Sequence, residues 1–383
     1  MRLLHTSDWH IGRSLHGADL LADQQRVLTG LADLIRAESI DMVLVSGDIY
    51  DRAIPPAAAT AVLDCVLTEL RGAGAQLVIT PGNHDSSIRL AYAAALLAAN
   101  GVHLRTSVAK LDEPVLIEDE HGTVGIYGIP YLEPDLVKHA LGVPAGHGHT
   151  DVLCAAMGRI RADRDARGLT RTIVLAHAFV AGGAKGESER DISVGGVEIV
   201  PAEVFSGVDY VALGHLHRSQ EIAEGIHYSG SPLAYSFSEA DQVKSVRVVD
   251  IGARGLAAVE IHPLDRPRGM VTLTGTLDDL LADPGYETHL EDYVSAQLLD
   301  LTRPVDAMRR LRGRFPHCVH LDWAPVTGGD EDSRSYAERI VGRGDLEIST
   351  DFVQHVRVTP ATDAESHLLS LALASGRVRE ASL

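Results

Sequence analysis

Along the first 217 residues, short apolar runs recur, and each ends in a cluster of polar side chains. Leu3-Leu4, Val43-Leu44-Val45, Leu77-Val78-Ile79, Ile173-Val174-Leu175 and Val211-Ala212-Leu213 read as buried strands. Helical periodicity separates the first of them. Leu20, Val27, Leu28, Leu31 and Ile35 predict a helix from about Leu20 to Glu38. Val62, Leu63, Val66, Leu67 and Leu70 predict a second after Pro55-Pro56, and Leu90, Ala94, Leu96 and Leu97 a third from Ile88 to Asn100. Strand and helix thus alternate up to about Leu104, which gives a sheet covered by helices. Shorter strands are expected at 114–117 and 123–129. A Gly/His-rich loop follows at 142–149, where His147 and His149 are expected to face solvent, and then a helix from about Asp151 to Arg167. Strand-forming residues from Tyr210 to Ile261 predict a second sheet. The fold class is therefore α/β, a two-sheet β-sandwich flanked by helices.

The pattern breaks at Pro263, Pro267 and Gly269. We divide the chain into residues 1–265, a small α/β unit at 266–327, and an acidic linker with a helical tail at 328–383. The linker begins Gly328-Gly329-Asp330-Glu331-Asp332.

Composition narrows the chemistry. A chain of 383 residues, 45% of them hydrophobic, can bury more than one core. Cys65, Cys154 and Cys318 lie far apart and form neither a disulfide framework nor a thiolate metal spacing. With the first strand starting at Arg2 and no run long enough to span a bilayer, a cytoplasmic protein without membrane contact is expected. The net charge of −19 excludes a generic basic nucleic-acid binder. Nucleic-acid contact would have to be local, metal-mediated or shared with a partner.

The strand tips carry the candidate chemistry. They hold Asp8 and His10, Asp48, Asn83, His177, and His215 with His217. Oxygen and imidazole donors without thiolate suit Mn²⁺, Fe²⁺ or Zn²⁺. Seven ligands exceed the needs of one ion and match two ions sharing a carboxylate. Two dications facing only Asp8 and Asp48 would leave a cationic centre able to bind a phosphodiester anion and activate water. His84, beside Asn83, is placed to protonate the leaving oxygen. Asp85 could hold His84 in one tautomer or cap the next helix.

Asp8-Trp9-His10, Gly47-Asp48, Gly82-Asn83-His84-Asp85, His177 and Gly214-His215-Leu216-His217 together resemble the signatures of calcineurin-like metallophosphoesterases. That resemblance implies Asp8, His10, Asp48 and His217 around one ion, Asp48, Asn83, His177 and His215 around the other, and His84 as catalytic histidine. Further stretches, among them Ile11-Gly12-Arg13, Ile49-Tyr50-Asp51-Arg52, Ser188-Glu189-Arg190, Tyr228-Ser229-Gly230-Ser231-Pro232-Leu233 and Leu311-Arg312-Gly313-Arg314-Phe315-Pro316, resemble the SbcD branch of that superfamily over essentially the full length. This implies a Mn²⁺-dependent double-strand exonuclease and single-strand or hairpin endonuclease in DNA repair and recombination. It would act as a homodimer within a heterotetramer with an SbcC-type ATPase. The unit after Gly269 would be a capping domain that helps select DNA, and the tail after Asp332 would dock on the ATPase. Asp51 departs from the histidine of archaeal and eukaryotic relatives and is given no catalytic role. Asp51, Asp85, Arg13, Arg52 and Arg89 are candidates to support the ligands or touch substrate. Arg309, Arg310, Arg312 and Arg314 read as a solvated helix face or, more sharply, as a DNA or partner contact. Two other readings compete: a phosphoesterase for small phosphodiesters or phosphomonoesters without DNA specificity, and a non-catalytic adaptor.

Overall fold

The computed structural model describes residues 1–184, 188, 199–325, 343–357 and 359–380. In chain order the strands are β1 (Arg2–Thr6), β2 (Ser14–Leu15), β3 (Ala18–Asp19), β4 (Met42–Ser46), β5 (Gln76–Thr80), β6 (Val102–Leu104), β7 (Val115–Asp119), β8 (Gly122–Gly128), β9 (Thr172–His177), β10 (Tyr210–Gly214), β11 (Gln220–Ala223), β12 (Ile226–Tyr228), β13 (Ser245–Gly252) and β14 (Gly255–Pro263). The helices among them are α1 (Leu21–Glu38), α2 (Ala57–Gly72), α3 (Ser87–Leu90), α4 (Ala94–Ala98), α5 (Pro134–Leu141) and α6 (His149–Arg167).

Two six-stranded sheets form, ordered β14-β13-β1-β4-β5-β6 and β11-β12-β10-β9-β8-β7. Alternation along the central strands explains why they stack. Leu3, Met42, Leu44 and Val78 from one sheet meet Ile126, Ile173, Leu175 and Ala212 from the other. The opposite faces are covered too: Leu4, Val43, Val45 and Leu77 pack with residues of α1 and α2, while Val174, Val211 and Leu213 pack with those of α6. Strands buried on both faces become continuous apolar runs, which is why the central ones were legible. β1, β4 and β5 run parallel, as do β9 and β10, so their carboxyl ends lie at common sheet edges.

Three expectations need correction. The third helix is broken into α3 and α4, with Ala93 left-handed at φ 57° between them. Leu90, Ala94 and Leu97 pack against the core outside the first sheet, while Ile88, Tyr92 and Leu96 are 87%, 85% and 72% exposed, so only one side of the segment is held. β13 and β14 return to the first sheet, where β13 pairs antiparallel with β1, and do not extend the second. That pairing covers the edge that β1 would otherwise expose. Finally, α5 precedes the Gly/His-rich loop, and its short amphipathic pattern was missed.

The chain divides into two compact units, Met1–Pro267 and Arg268–Leu383. The second contains a parallel sheet of β15 (Met270–Gly275), β16 (Tyr293–Leu298) and β17 (Cys318–Trp323), with α7 (Leu277–Ala282) and α8 (Ala307–Arg314). Two helices follow, Asp345–Arg357 and Asp363–Glu380. The acidic stretch 328–332 lies outside the described residues. On α8 the arginines are engaged within their own unit. Arg312 donates to the Cys318 carbonyl and Arg314 to those of Leu280 and Asp283, while Arg309 and Arg310 pair with Asp306 and Asp278. These contacts staple α8 to its neighbours. No helix among the described residues is long and apolar enough to cross a membrane.

Candidate metal centre

The tips of β1, β4, β5, β9 and β10 converge, because parallel strands deliver the residues that follow them to one edge. Asp8, His10, Asp48, His177, His215 and His217 are all buried, each no more than 3% exposed. Such a concentration of titratable groups requires compensation by one another or by a bound ion.

Asp48 stands at the middle. Its Oδ2 lies 3.5 Å from His10 Nε2 and 3.4 Å from His177 Nε2, while Oδ1 accepts a hydrogen bond from the His84 backbone N–H at 2.9 Å. On one side, His10 Nε2 is 3.1 Å from His217 Nε2, and Asp8, His10 and His217 form one cluster of candidate ligand atoms. On the other side, His177 Nε2 lies 2.9 Å from Asn83 Oδ1, and Asp8, Asp48 and His177 form a second cluster. His177 Nδ1–H donates to the Ser46 carbonyl at 3.0 Å, which makes Nε2, facing Asp48 and Asn83, the nitrogen that is free to bind an ion once it loses its proton. The His215 ring lies edge-on to that of His177 with centroids 5.3 Å apart, and its backbone N–H donates to Asp8. This donor set of carboxylates, imidazoles and one amide oxygen fits two divalent ions sharing Asp48.

Backbone geometry pushes these side chains together. Among the described non-glycine residues, Asp8, His10, Asp48 and His215 have φ of 53°, 44°, 51° and 107°. Glycines supply the clearance. A Cβ on Gly214 would lie 1.7 Å from the Ser46 carbonyl oxygen, one on Gly47 2.2 Å from His177 Nδ1, and one on Gly82 2.1 Å from Asp48 Oδ1.

Charge follows from the same packing. Burial pushes the Asp8 carboxyl up to about 6, although His177 and His217 oppose the shift. Burial acts on Asp48 in the same direction, but His177 and His10 outweigh it and hold the carboxyl well below its ordinary range. For His177, burial disfavours the cation, yet Asp48 and Asp8 together raise it to about 9. Burial keeps His10 neutral. Without ions the centre is thus partly protonated.

The supporting candidates divide. The carboxylate of Asp85 accepts the backbone N–H groups of Ile49, Tyr50 and Gly82, each at 2.9 Å. It therefore ties two strand tips together and neither orients His84 nor caps α3, whose cap is Ser86. Burial, reinforced by Asp48, lifts its carboxyl to about 7. His84 is oriented by Asp51 instead: its Nδ1–H donates to the Asp51 carbonyl at 2.8 Å. The His84 ring lies edge-on to His10, and a His84 ring nitrogen also belongs to a cluster of candidate ligand atoms with His10 and Asp48. Asp51 Oδ1 sits 3.7 Å from His10 Nδ1 and 3.8 Å from Arg13 Nη1. Arg13 lies over the Tyr235 ring and donates to the Ser188 carbonyl at 2.6 Å. Arg52 and Arg89 are exposed, and Arg52 reaches only the outer oxygen of Asp51. His147 is exposed and pairs with Asp151. His149, in contrast, is the half-buried first residue of α6 and leans on Tyr131, whose ring lies 6.2 Å from that of His177. Sequence reading missed Ser188 as a site residue, along with Tyr235, Glu239 and Lys244. Tyr235, Glu239 and Lys244 share one largely polar segment far in the chain from Ser188 and from the strand tips, where a charged residue carries no local signal of burial.

The family description "Calcineurin-like phosphoesterase" matches residues 1–219, more than half of the chain. Solved structures with a similar arrangement include TT1561 of Thermus thermophilus, at 14% identity and TM-score 0.42 over 68% of this chain and 98% of that one. Calcineurin-like phosphoesterase YfkN from Bacillus subtilis shows 15% identity and TM-score 0.38 over 69% and 90%. A dimetal phosphatase from Danio rerio shows 14% and 0.40 over 70% and 96%.

Two outcomes are expected. Gly214→Ala should lose ion binding and melt at a lower temperature, because the added carbon must displace the Ser46 main chain and His177; elemental analysis of the folded variant beside its melting curve checks this. Ion loading should also release protons, and apparent affinity should rise with pH. Below about 6 both Asp8 and His177 must deprotonate, between about 6 and 9 only His177 must, and above 9 neither. Titration calorimetry at pH 7.5 in buffers of different ionisation enthalpy should register about one proton released from His177.

Proposed function

The chain belongs to the calcineurin-like phosphoesterase family, and we propose that within it this protein is a Mn²⁺-dependent DNA nuclease subunit that acts with an SbcC-type ATPase. As a member it is a metal-dependent phosphoesterase hydrolase. The observation that carries the site chemistry is Asp48 Oδ2 standing between His10 and His177. Two ions held by Asp8, His10, Asp48, Asn83, His177, His215 and His217 would supply positive charge to bind a phosphodiester and to lower the pKa of water.

The chain's own residues do the rest. His84 is 13% exposed, and its Nδ1–H is fixed by the Asp51 carbonyl. Its Nε2 is therefore the nitrogen left to face substrate, and in the imidazolium form it would pass its proton to the leaving oxygen as the P–O bond breaks, leaving a neutral ring with its proton on Nδ1. The Asp51 carbonyl holds the His84 ring, the Asp51 carboxylate lies between His10 and Arg13, and Asp85 fixes the two loops that carry Asp48 and His84.

DNA specificity is supported by the resemblance of the stretches around Arg13, Arg52 and Arg314 and by the second compact unit that follows the family-matched residues. The internally engaged arginines of α8 lend it no support. A homodimer is supported by the exposed apolar residues Ile54, Ile88, Tyr92 and Leu96, which no described residue of this chain buries. The helices after residue 343 are the segment proposed to dock on the ATPase.

The deciding assay offers linear duplex DNA, hairpin DNA and bis-p-nitrophenyl phosphate to the purified chain with Mn²⁺. Cleavage of both DNAs should appear and should vanish in Asp48→Ala. His84→Ala should keep both ions and lose about 10²–10⁴-fold in rate. Turnover of the small ester alone, with the ATPase present as well as without it, would favour the small-substrate reading.

A further inference from the structure

His217 is gripped from two sides by buried residues that the hydrolysis itself does not use. Its Nδ1 lies 2.6 Å from Ser188 Oγ, and the Ser188 hydroxyl donates to Glu239 Oε1. The other carboxylate oxygen of Glu239 accepts from Lys244 Nζ at 2.5 Å. Lys244 also donates to the backbone carbonyl of His217 and to Ser231 Oγ, each at 3.0 Å. Glu239 is 1% exposed and Lys244 3%.

A buried ion pair is a poor source of stability, because desolvation offsets most of the attraction. This one reaches His217 twice, from Lys244 to its main chain and from Glu239 through Ser188 to its ring, besides its bonds to Ser231, Gln242 and the Tyr235 backbone. The direction of each bond follows from chemistry. An ionised carboxylate only accepts, so the hydroxyl proton of Ser188 is committed to Glu239. Ser188 Oγ can then only accept from His217, which places the imidazole proton on Nδ1. The lone pair is left on Nε2, 3.1 Å from His10 Nε2, where both nitrogens can face one ion. Arg13 fixes Ser188 from the other side through its carbonyl.

We propose that Glu239, anchored by Lys244 and acting through the Ser188 hydroxyl, is a positioning residue that sets the tautomer of His217 for ion binding. The inference rests on the metal-centre reading above and concerns the ion shared by Asp8, His10 and His217. A carboxylate and a cation so placed act as one unit: Lys244 holds the main chain of His217 while Glu239 dictates its ring proton.

Removal of the hydroxyl in Ser188→Ala should weaken Mn²⁺ binding at one of the two positions about 10- to 100-fold and leave the other. Ser188→Thr, which keeps the hydroxyl, should restore it. Glu239→Gln should do at least as much harm as Ser188→Ala. Its amide can donate to Ser188, freeing the hydroxyl to donate to His217 and driving the proton onto Nε2. Calorimetric titration of each chain with Mn²⁺, paired with elemental analysis and metal-free melting curves, separates the possibilities. Parent-like affinity at both positions in Ser188→Ala and Glu239→Gln would overturn the proposal, even if their melting temperatures fell, because the role would then be structural. If Glu239→Gln does not fold, the Ser188→Ala and Ser188→Thr pair decides. A parent chain that binds no Mn²⁺ would overturn the metal-centre reading as well, an outcome distinct from variants that match a metal-binding parent.

Discussion

One carboxylate oxygen organises this molecule. Asp48 Oδ2 stands within 3.5 Å of imidazole nitrogens from opposite sides of the site, His10 from the first sheet and His177 from the second. It is buried and ionised there, which is tolerable only because cationic or hydrogen-bonding groups face it from every direction. Every other feature of the site serves that placement. Gly82 gives Asp48 room, Asp85 pins its loop to the next one, and the His84 backbone N–H takes its second oxygen.

Holding the arrangement has a cost in the backbone. Positive φ at Asp8, His10, Asp48 and His215 costs on the order of 1–3 kcal/mol each. The sandwich offsets it with three apolar layers, one between the sheets and one outside each. Parallel strands buried on both faces make rigid supports, so the strained tips are over-determined by what precedes them. The supports beneath His217 extend the same logic to charged groups, since Glu239 and Lys244 neutralise each other and hold that residue by both its main chain and, through Ser188, its ring.

Much of this was legible in sequence because it is local. A doubly buried strand is an uninterrupted apolar run, and a candidate ligand at its tip is a polar residue after a glycine, as at Gly47-Asp48 and Gly214-His215. What could not be read depends on distance in the chain. β13 belongs beside β1 because an edge needed covering, a fact absent from its own residues. Asp85 adjoins His84 in sequence but serves the backbone of Ile49 and Tyr50, while the Asp51 carbonyl orients the histidine ring. The break at Ala93 could not be read either: Leu90, Ala94 and Leu97 reach the core on both sides of it, while Ile88, Tyr92 and Leu96, equally apolar, stay exposed. His149 was misjudged for the same reason, as the Tyr131 ring that shelters it lies on another segment.

The sharing of Asp48 by two ions is the central claim, and locating the ions tests it most directly. Crystals of the chain grown with Mn²⁺, with diffraction recorded at the manganese absorption edge, should show two anomalous peaks roughly 3.5–4 Å apart with the Asp48 carboxylate between them. A single peak, or two peaks with Asp48 bound to only one, would contradict the account.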